Sequence, residues 1–292
     1  MRAMRFFWIG VLGLILAACA GFPPSSTAVP ASDPAAASIP VTAGSPPTPV
    51  AYTMPELAIY FEGFEGAFVL YDPAQNRLLR YNPRGGAARY LPASTFKILN
   101  SLIGLETGVI ADEHDVIAWD GTPQPVDSWN QDHTLESAIQ NSVVWYYQAL
   151  ARRVGEERMR QWVEAAGYGN ADISGVIDTF WLEGALRISA DEQVDFLRRF
   201  YDGELPFSAR SVEIVKKILV LEEGEGYRLS GKTGSVVRSV EYVGWFVGYL
   251  EIDGQVYFFA TNIHGSQAAA NGVKAQAITR AILQGLGLLP AD

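Results

Sequence analysis

Strand-like segments stand at both ends of this chain and helices fill the space between, and that segregation limits the folds open to it. Phe68-Val69-Leu70-Tyr71 and Leu78-Leu79-Arg80-Tyr81 flank the turn-rich Asp72-Pro73-Ala74-Gln75-Asn76, which reads as strand, turn, strand. Near the C-terminus, 227–231, 242–250 and 256–261 alternate or run apolar, with Asp253-Gly254 as a hairpin signal between the last two. Between these ends, apolar residues recur at helical spacing over 94–107, 135–153, 156–166, 190–201 and 208–219, and again over 271–284. The 135–153 stretch is interrupted at Asn141-Ser142. The expected fold is therefore α+β. N- and C-terminal strands share one antiparallel sheet, helices flank it, and the helical middle forms a second, mostly helical subdomain.

Chemistry enters at the start of the first long helix. Pro92-Ala93-Ser94-Thr95-Phe96-Lys97 runs straight into Ile98-Leu99-Asn100-Ser101-Leu102-Ile103. A serine and a lysine three residues apart share one helix face, one turn from each other. Serine is a weak nucleophile at neutral pH and needs a base beside it. Lysine serves as that base only where its surroundings suppress its charge. The apolar run after Lys97 suits that requirement, so the pair points to serine acyl transfer.

Charge and composition exclude other classes. A net charge of −10 argues against nucleic acid, which needs a basic footprint. The three histidines, His114, His133 and His264, are scattered without metal-ligand spacing, so no metal is expected. Cys19 is the only cysteine, which rules out a disulfide within the chain and a thiol nucleophile in the domain.

That cysteine belongs to the N-terminal segment. Arg2 and Arg5 precede an apolar run from Phe6 to Ala18 that ends in Leu16-Ala17-Ala18-Cys19. The run is short for a bilayer span and reads as an export signal over 1–18. A cysteine at the cleavage point resembles a bacterial lipoprotein signal, which implies cleavage before Cys19 and its lipidation. Residues 19–51 are rich in Pro, Ala, Ser and Thr and read as a flexible tether. The catalytic domain is expected over 52–292. The protein is thus expected to be exported and lipid-anchored to the bacterial membrane, with its catalytic domain in the periplasm or outside the cell.

Three further segments join the Ser94–Lys97 pair. They are Gln140-Asn141-Ser142-Val143-Val144, Tyr168-Gly169-Asn170 followed by Phe180-Trp181-Leu182, and Lys232-Thr233-Gly234-Ser235. Ser-x-x-Lys and Lys-Thr-Gly belong to penicillin-recognising serine enzymes, whose middle element is Ser-Asp-Asn. Here that element is Ser142-Val143-Val144. With these motifs and Gly244-Trp245-Phe246-Val247-Gly248, the stretch from Tyr52 to Leu289 resembles the class D (oxacillinase-type) β-lactamases.

The resemblance implies a hydrolase that opens the β-lactam amide of penicillin-type antibiotics, with the β-lactam as partner and no protein partner. It makes Ser94 the nucleophile and Lys97 the base, N-carboxylated by carbon dioxide or bicarbonate, with no other cofactor. Ser142 relays a proton to the leaving nitrogen, and Lys232 tunes Ser142 and attracts the substrate carboxylate. Thr233 binds that carboxylate. Ser235 joins Ser94 in offering backbone N–H groups to the oxyanion. Phe96, Val144, Trp181 and Leu182 wall the lysine pocket, with the Trp181 indole holding the carbamate. Tyr168 and Asn170 support local structure.

One departure concerns the arginine with which the family grips the substrate carboxylate. Aligning Gln276-Ala277-Ile278-Thr279 puts Ala275 at its place and Lys274 beside it, and a lysine there is a point charge without a bidentate fork. Two other readings share the acylation machinery. One is a β-lactam-sensing receptor domain that stays acylated, usually joined to several membrane spans where this chain shows one short apolar segment. The other is a small cell-wall D,D-peptidase, disfavoured by the missing Ser-x-Asn element. A non-catalytic structural lipoprotein has no use for Ser94, Lys97, Ser142 and Lys232 together.

Overall fold

The computed structural model describes residues 48–237 and 242–290. The signal-like segment, Cys19 and most of the expected tether lie outside the described residues. Val50 and Ala51, two residues ahead of Tyr52, belong to strand β1 (Val50–Thr53). A 3-10 turn, Pro55–Phe61, leads to β2 (Glu65–Asp72) and β3 (Arg77–Tyr81). The turn between these strands closes on Asn76, whose φ of 48° suits the tolerance of asparagine for left-handed backbone. Helix α1 (Pro83–Ala87) and a 3-10 turn at Ala93–Phe96 then lead into α2 (Lys97–Glu106).

A two-stranded ribbon, β4 (Val116–Ile117) and β5 (His133–Thr134), precedes α3 (Leu135–Gln140) and α4 (Val144–Val154). Then come α5 (Glu156–Ala166), α6 (Ala190–Tyr201) and α7 (Ala209–Ile218). The chain returns to the sheet as β6 (Val220–Gly224), β7 (Tyr227–Val237), β8 (Tyr242–Ile252) and β9 (Gln255–Gly265), and ends in α8 (Gly272–Gly285). Asp253 and Gly254, with φ of 51° and 76°, make the expected tight turn between β8 and β9.

Among the described residues the main sheet runs β1-β3-β2-β9-β8-β7-β6. It is antiparallel apart from β1, which lies parallel to β3. N- and C-terminal strands meet where β2 pairs with β9, Ala67 opposite Asn262. Successive side chains alternate between faces. Phe68, Leu70, Phe246, Leu250 and Phe259 pack under α8, while Val69, Trp245, Val247, Tyr249 and Phe258 face the helical middle. With both faces covered, the central strands are almost continuously apolar.

The helical middle packs directly on the sheet. Leu99, Ile103, Tyr147, Leu150 and Phe200 share a continuous core with Val69, Trp245 and Phe258 of the sheet. The middle is distinct in secondary structure but has no separate core. No described helix is long and apolar enough to cross a membrane.

Candidate active site

The site forms where the 3-10 turn before α2 meets the outer edge of β7. Ala93 takes a φ of 49°, an uncommon conformation for a residue with a Cβ. Its N–H donates to the Trp181 carbonyl at 3.1 Å. Thr95 donates its hydroxyl to the Pro92 carbonyl at 2.7 Å and accepts from Gln193 Nε2 at 2.9 Å. Gln193 also donates to the Tyr168 hydroxyl at 3.2 Å. Phe96 stacks on Trp181 at 5.5 Å between centroids and meets Phe180 and Tyr168 edge-on. These contacts fix the turn, so Ser94 stays half-buried and aimed rather than mobile.

Lys97 follows as the first residue of α2, and its side chain is fully buried. Its Nζ donates to Ser94 Oγ at 3.0 Å, to Ser142 Oγ at 3.0 Å and to the Ser142 carbonyl at 2.6 Å. Ser142 turns both groups inward because α3 stops at Gln140 and Ser142 adopts a left-handed φ of 54°. Such strain in a non-glycine residue persists only where the surroundings impose it, and it gathers at working sites. Burial, and next the neighbouring charge of Lys232, hold the Lys97 amine well below the ordinary lysine range. Among the described residues no carboxylate pairs with Lys97, whose amine meets only Ser94 and Ser142 by hydrogen bond.

Lys232, Thr233, Gly234 and Ser235 do not end a strand. They lie inside the 11-residue β7, paired with β8 through Thr233–Phe246 and Gly234–Trp245. Lys232 is also buried, and burial lowers its pKa to about 7. Its Nζ donates to the Thr233 carbonyl at 3.0 Å and to Thr233 Oγ1 at 3.4 Å. Among the described residues no hydrogen bond joins Lys232 to Ser142, so its influence on the Ser94–Lys97–Ser142 cluster is carried by charge.

Gly234 lets the strand close on the nucleophile. A Cβ there would stand 3.0 Å from the Pro92 carbonyl and 3.3 Å from the Ser94 nitrogen. The Ser94 backbone nitrogen therefore lies close against the strand leading to Ser235, and an oxyanion site needs two such N–H donors side by side. The Ser235 hydroxyl accepts from the Gly272 N–H at 2.9 Å and ties β7 to the start of α8.

Trp181 is buried beside this cluster, and its Nε1 has no hydrogen-bond partner among the described residues. A sealed indole N–H without an acceptor is costly, and an anionic group built on Lys97 would supply one. Phe96 is buried as expected, whereas Val144 and Leu182 are half-buried. Asn170 binds the backbone of Ala185 and Arg187 and thereby braces the loop that carries Trp181.

Lys274 is engaged elsewhere. Its ammonium pairs with Glu62 Oε2 at 2.6 Å and lies 5.9 Å over the Phe64 ring, while Ala275, on α8 itself, is buried in the core between that helix and the sheet. Residues not anticipated from sequence include Glu62, Gln193, Tyr147, whose ring lies beside Lys97, and Arg152, whose ion pair with Asp178 holds the Trp181 loop to α4. Among the described residues no three His, Cys, Asp or Glu side chains are gathered as metal ligands.

This geometry joins a serine and a desolvated amine to a basic, hydroxyl-rich strand. The pattern of the penicillin binding protein transpeptidase domain matches residues 66–284. The chain belongs to that family. Within the family it is 45% identical over 229 residues to the probable β-lactamase YbxI of Bacillus subtilis, covering 78% of this chain and 84% of that one. A class D β-lactamase structure from Nostoc superposes with a TM-score of 0.77 at 43% identity, covering 80% of this chain and 99% of the other. The C-terminal domain of the Bacillus licheniformis BlaR penicillin receptor reaches a TM-score of 0.80 at 38% identity, covering 84% and 99%. The transpeptidase-domain fold accounts for the shared sheet and for the placement of Ser94 before α2.

Proposed function

We propose that this protein is a class D serine β-lactamase, acylated at Ser94 and deacylated by water, with Lys97 able to carry a carbamate made from carbon dioxide. One observation carries the reading: among the described residues a fully buried lysine amine has no carboxylate partner, and the Trp181 indole N–H has no acceptor. Only a neutral amine attacks carbon dioxide, and burial favours the neutral form. The residues present fit the product, since Trp181 Nε1 and the Ser142 hydroxyl are the donors that would hold it. When present, the carbamate supplies an anionic base next to Ser94.

The chain's own residues then act in order. Ser94 Oγ attacks the lactam carbonyl as its proton passes to the Lys97 side chain, 3.0 Å away. The backbone N–H groups of Ser94 and Ser235 receive the developing oxyanion, each such donor contributing roughly 10²–10³ in rate. Ser142 returns a proton to the departing lactam nitrogen. Thr233 and Lys232 hold the substrate carboxylate, and the pairing of Lys274 with Glu62 leaves that task to them. Phe96 and Trp181 keep bulk water from the lysine.

Charge on Lys232 makes this binding pH-dependent. Its pKa near 7 means that the cation is lost as pH rises through neutrality. For a carboxylate-bearing β-lactam, kcat/KM, which reports groups of the free enzyme, should fall about tenfold per unit above pH 7. An esterified analogue should show a shallower limb, and parallel profiles would remove Lys232 from carboxylate recognition.

The chain is also proposed to be exported and anchored through lipid on Cys19. Leu16-Ala17-Ala18-Cys19 and the Pro- and Ala-rich stretch after it support this reading, which puts the catalytic domain in the periplasm or outside the cell.

The likeness to the BlaR receptor domain favours a second reading, a sensor that is acylated and stays so. Hydrolysis of a chromogenic β-lactam, followed with and without bicarbonate and with Ser94→Ala as control, separates the two. Multiple turnovers that rise with bicarbonate and vanish in Ser94→Ala are expected. A single stoichiometric burst with a lasting adduct on Ser94 by mass spectrometry would replace the hydrolase with the sensor.

A further inference from the structure

We infer that Tyr147 is a positioning residue for Lys97, its ring face favouring the ammonium form and thereby setting how much carbon dioxide the site needs. The inference rests on the carboxylation proposed above. Lys97 Nζ lies 5.3 Å from the centroid of the Tyr147 ring, within the reach of a cation–π interaction. Both the hydroxyl and the backbone carbonyl of Tyr147 are tied to α2, the helix that bears Lys97. The Tyr147 hydroxyl meets Ser101 Oγ at 2.9 Å, Ser101 donates to the Lys97 carbonyl at 2.7 Å, and Asn100 Nδ2 donates to the Tyr147 carbonyl at 3.4 Å. Tyr147 is fully buried and meets Tyr146 edge-on at 5.5 Å, so the ring cannot swing away.

The chemistry gives the direction. Ammonium Lys97 first releases a proton to water. The nitrogen lone pair then forms the N–C bond to carbon dioxide, one C–O π pair moves onto oxygen, and a second proton leaves nitrogen. The net change converts an ammonium into an anionic carbamate with loss of two protons. The electron-rich face of an aromatic ring stabilises the cation at the start and repels the anion at the end.

Other groups around the amine act differently. From β7, Lys232 disfavours the ammonium and attracts the carbamate. Ser94 and Ser142 contribute uncharged hydroxyls, and the Trp181 loop contributes an uncharged indole. Burial pushes the Tyr147 phenol well above its ordinary range, so the ring stays neutral throughout. Tyr147 and Lys232 therefore pull the equilibrium in opposite directions, and carboxylation stays reversible and responsive to bicarbonate.

The test varies the ring's charge distribution at constant shape. The full chain is made with Tyr147→Phe and with the same position carrying di- and tetrafluorinated phenylalanine. Each is titrated with pH in ¹³C-bicarbonate while the carbamate carbon is followed by NMR, and a melting curve confirms its fold. The carbamate midpoint should move to lower pH step by step with fluorination, by roughly half a unit to one unit across the series. The bicarbonate needed for half occupancy at fixed pH should fall severalfold. If the tetrafluorinated chain does not fold, the difluorinated one and Tyr147→Phe carry the comparison. An unchanged midpoint in chains that do form the carbamate would overturn the role of Tyr147 alone. No carbamate signal in the unaltered chain would remove the carboxylation reading and this inference together.

Discussion

Lys97→Met should abolish turnover and make the protein more stable. Methionine has nearly the length of lysine and is flexible enough to fill the same channel, so packing survives while the base is lost. Loss of one member of a nucleophile–base unit typically costs about 10⁴-fold or more in kcat. The stability gain comes from the unfolded chain, where lysine titrates at its ordinary value. Burial holds the folded-state pKa well below that. At neutral pH the unfolded chain therefore binds a proton that the folded protein takes up poorly, which favours unfolding.

Methionine removes that penalty and forfeits the hydrogen bonds to Ser94 and Ser142. A net gain of about 2 kcal/mol, or roughly 4–8 °C in Tm for a domain of this size, is expected at pH 7. The gain should shrink as pH approaches 10.5, where lysine is neutral in the unfolded chain as well. Melting curves of both proteins at pH 7 and pH 10 test this. Equal stability at pH 7 would mean that the site accommodates a charged Lys97 without strain.

Trp181→Phe isolates the other half of the proposed base. The ring that stacks on Phe96 at 5.5 Å is kept in kind, while the unpartnered Nε1–H is removed. The folded protein loses no hydrogen bond and should melt within a degree or two of the parent. If that N–H holds a carbamate, turnover should fall by roughly 10²–10³, the usual loss for one buried charge-stabilising donor. Millimolar bicarbonate should restore much of it. Acylation by a β-lactam should persist, so the adduct accumulates. Full activity without added bicarbonate would separate the indole from the chemistry.

Much of this site was legible in sequence because its members are set by local rules. Ser94 and Lys97 share a helix face by spacing, Ser142 sits at a visible helix break, and Asp253-Gly254 can make little other than a tight turn. Pairing and orientation were less legible because they are decided by distant residues. The strand read over 227–231 stops short of Lys232–Ser235, since lysine, threonine, glycine and serine give no apolar alternation. Its partner β8 nevertheless holds it in a continuous ladder.

Lys274 looked available to a substrate until the fold brought Glu62, 212 residues away, to within 2.6 Å. Tyr147 falls within the helical stretch 135–153 without any local sign that its ring lies beside Lys97. How closely the helical middle joins the sheet also depends on tertiary packing: helical periodicity identifies a buried stripe but not what buries it, and here the sheet shares its core.

The pairing of β2 with β9 gives synthesis an order. Ser94, Lys97 and Ser142 emerge early in translation, but the edge that completes their site cannot dock until the last strands exist. Closing a sheet between partners so far apart along the chain is entropically slow. A growing polypeptide of this kind carries its reactive serine with no formed pocket around it. Acylation competence therefore arises only after the last strands and the C-terminal helix have left the ribosome.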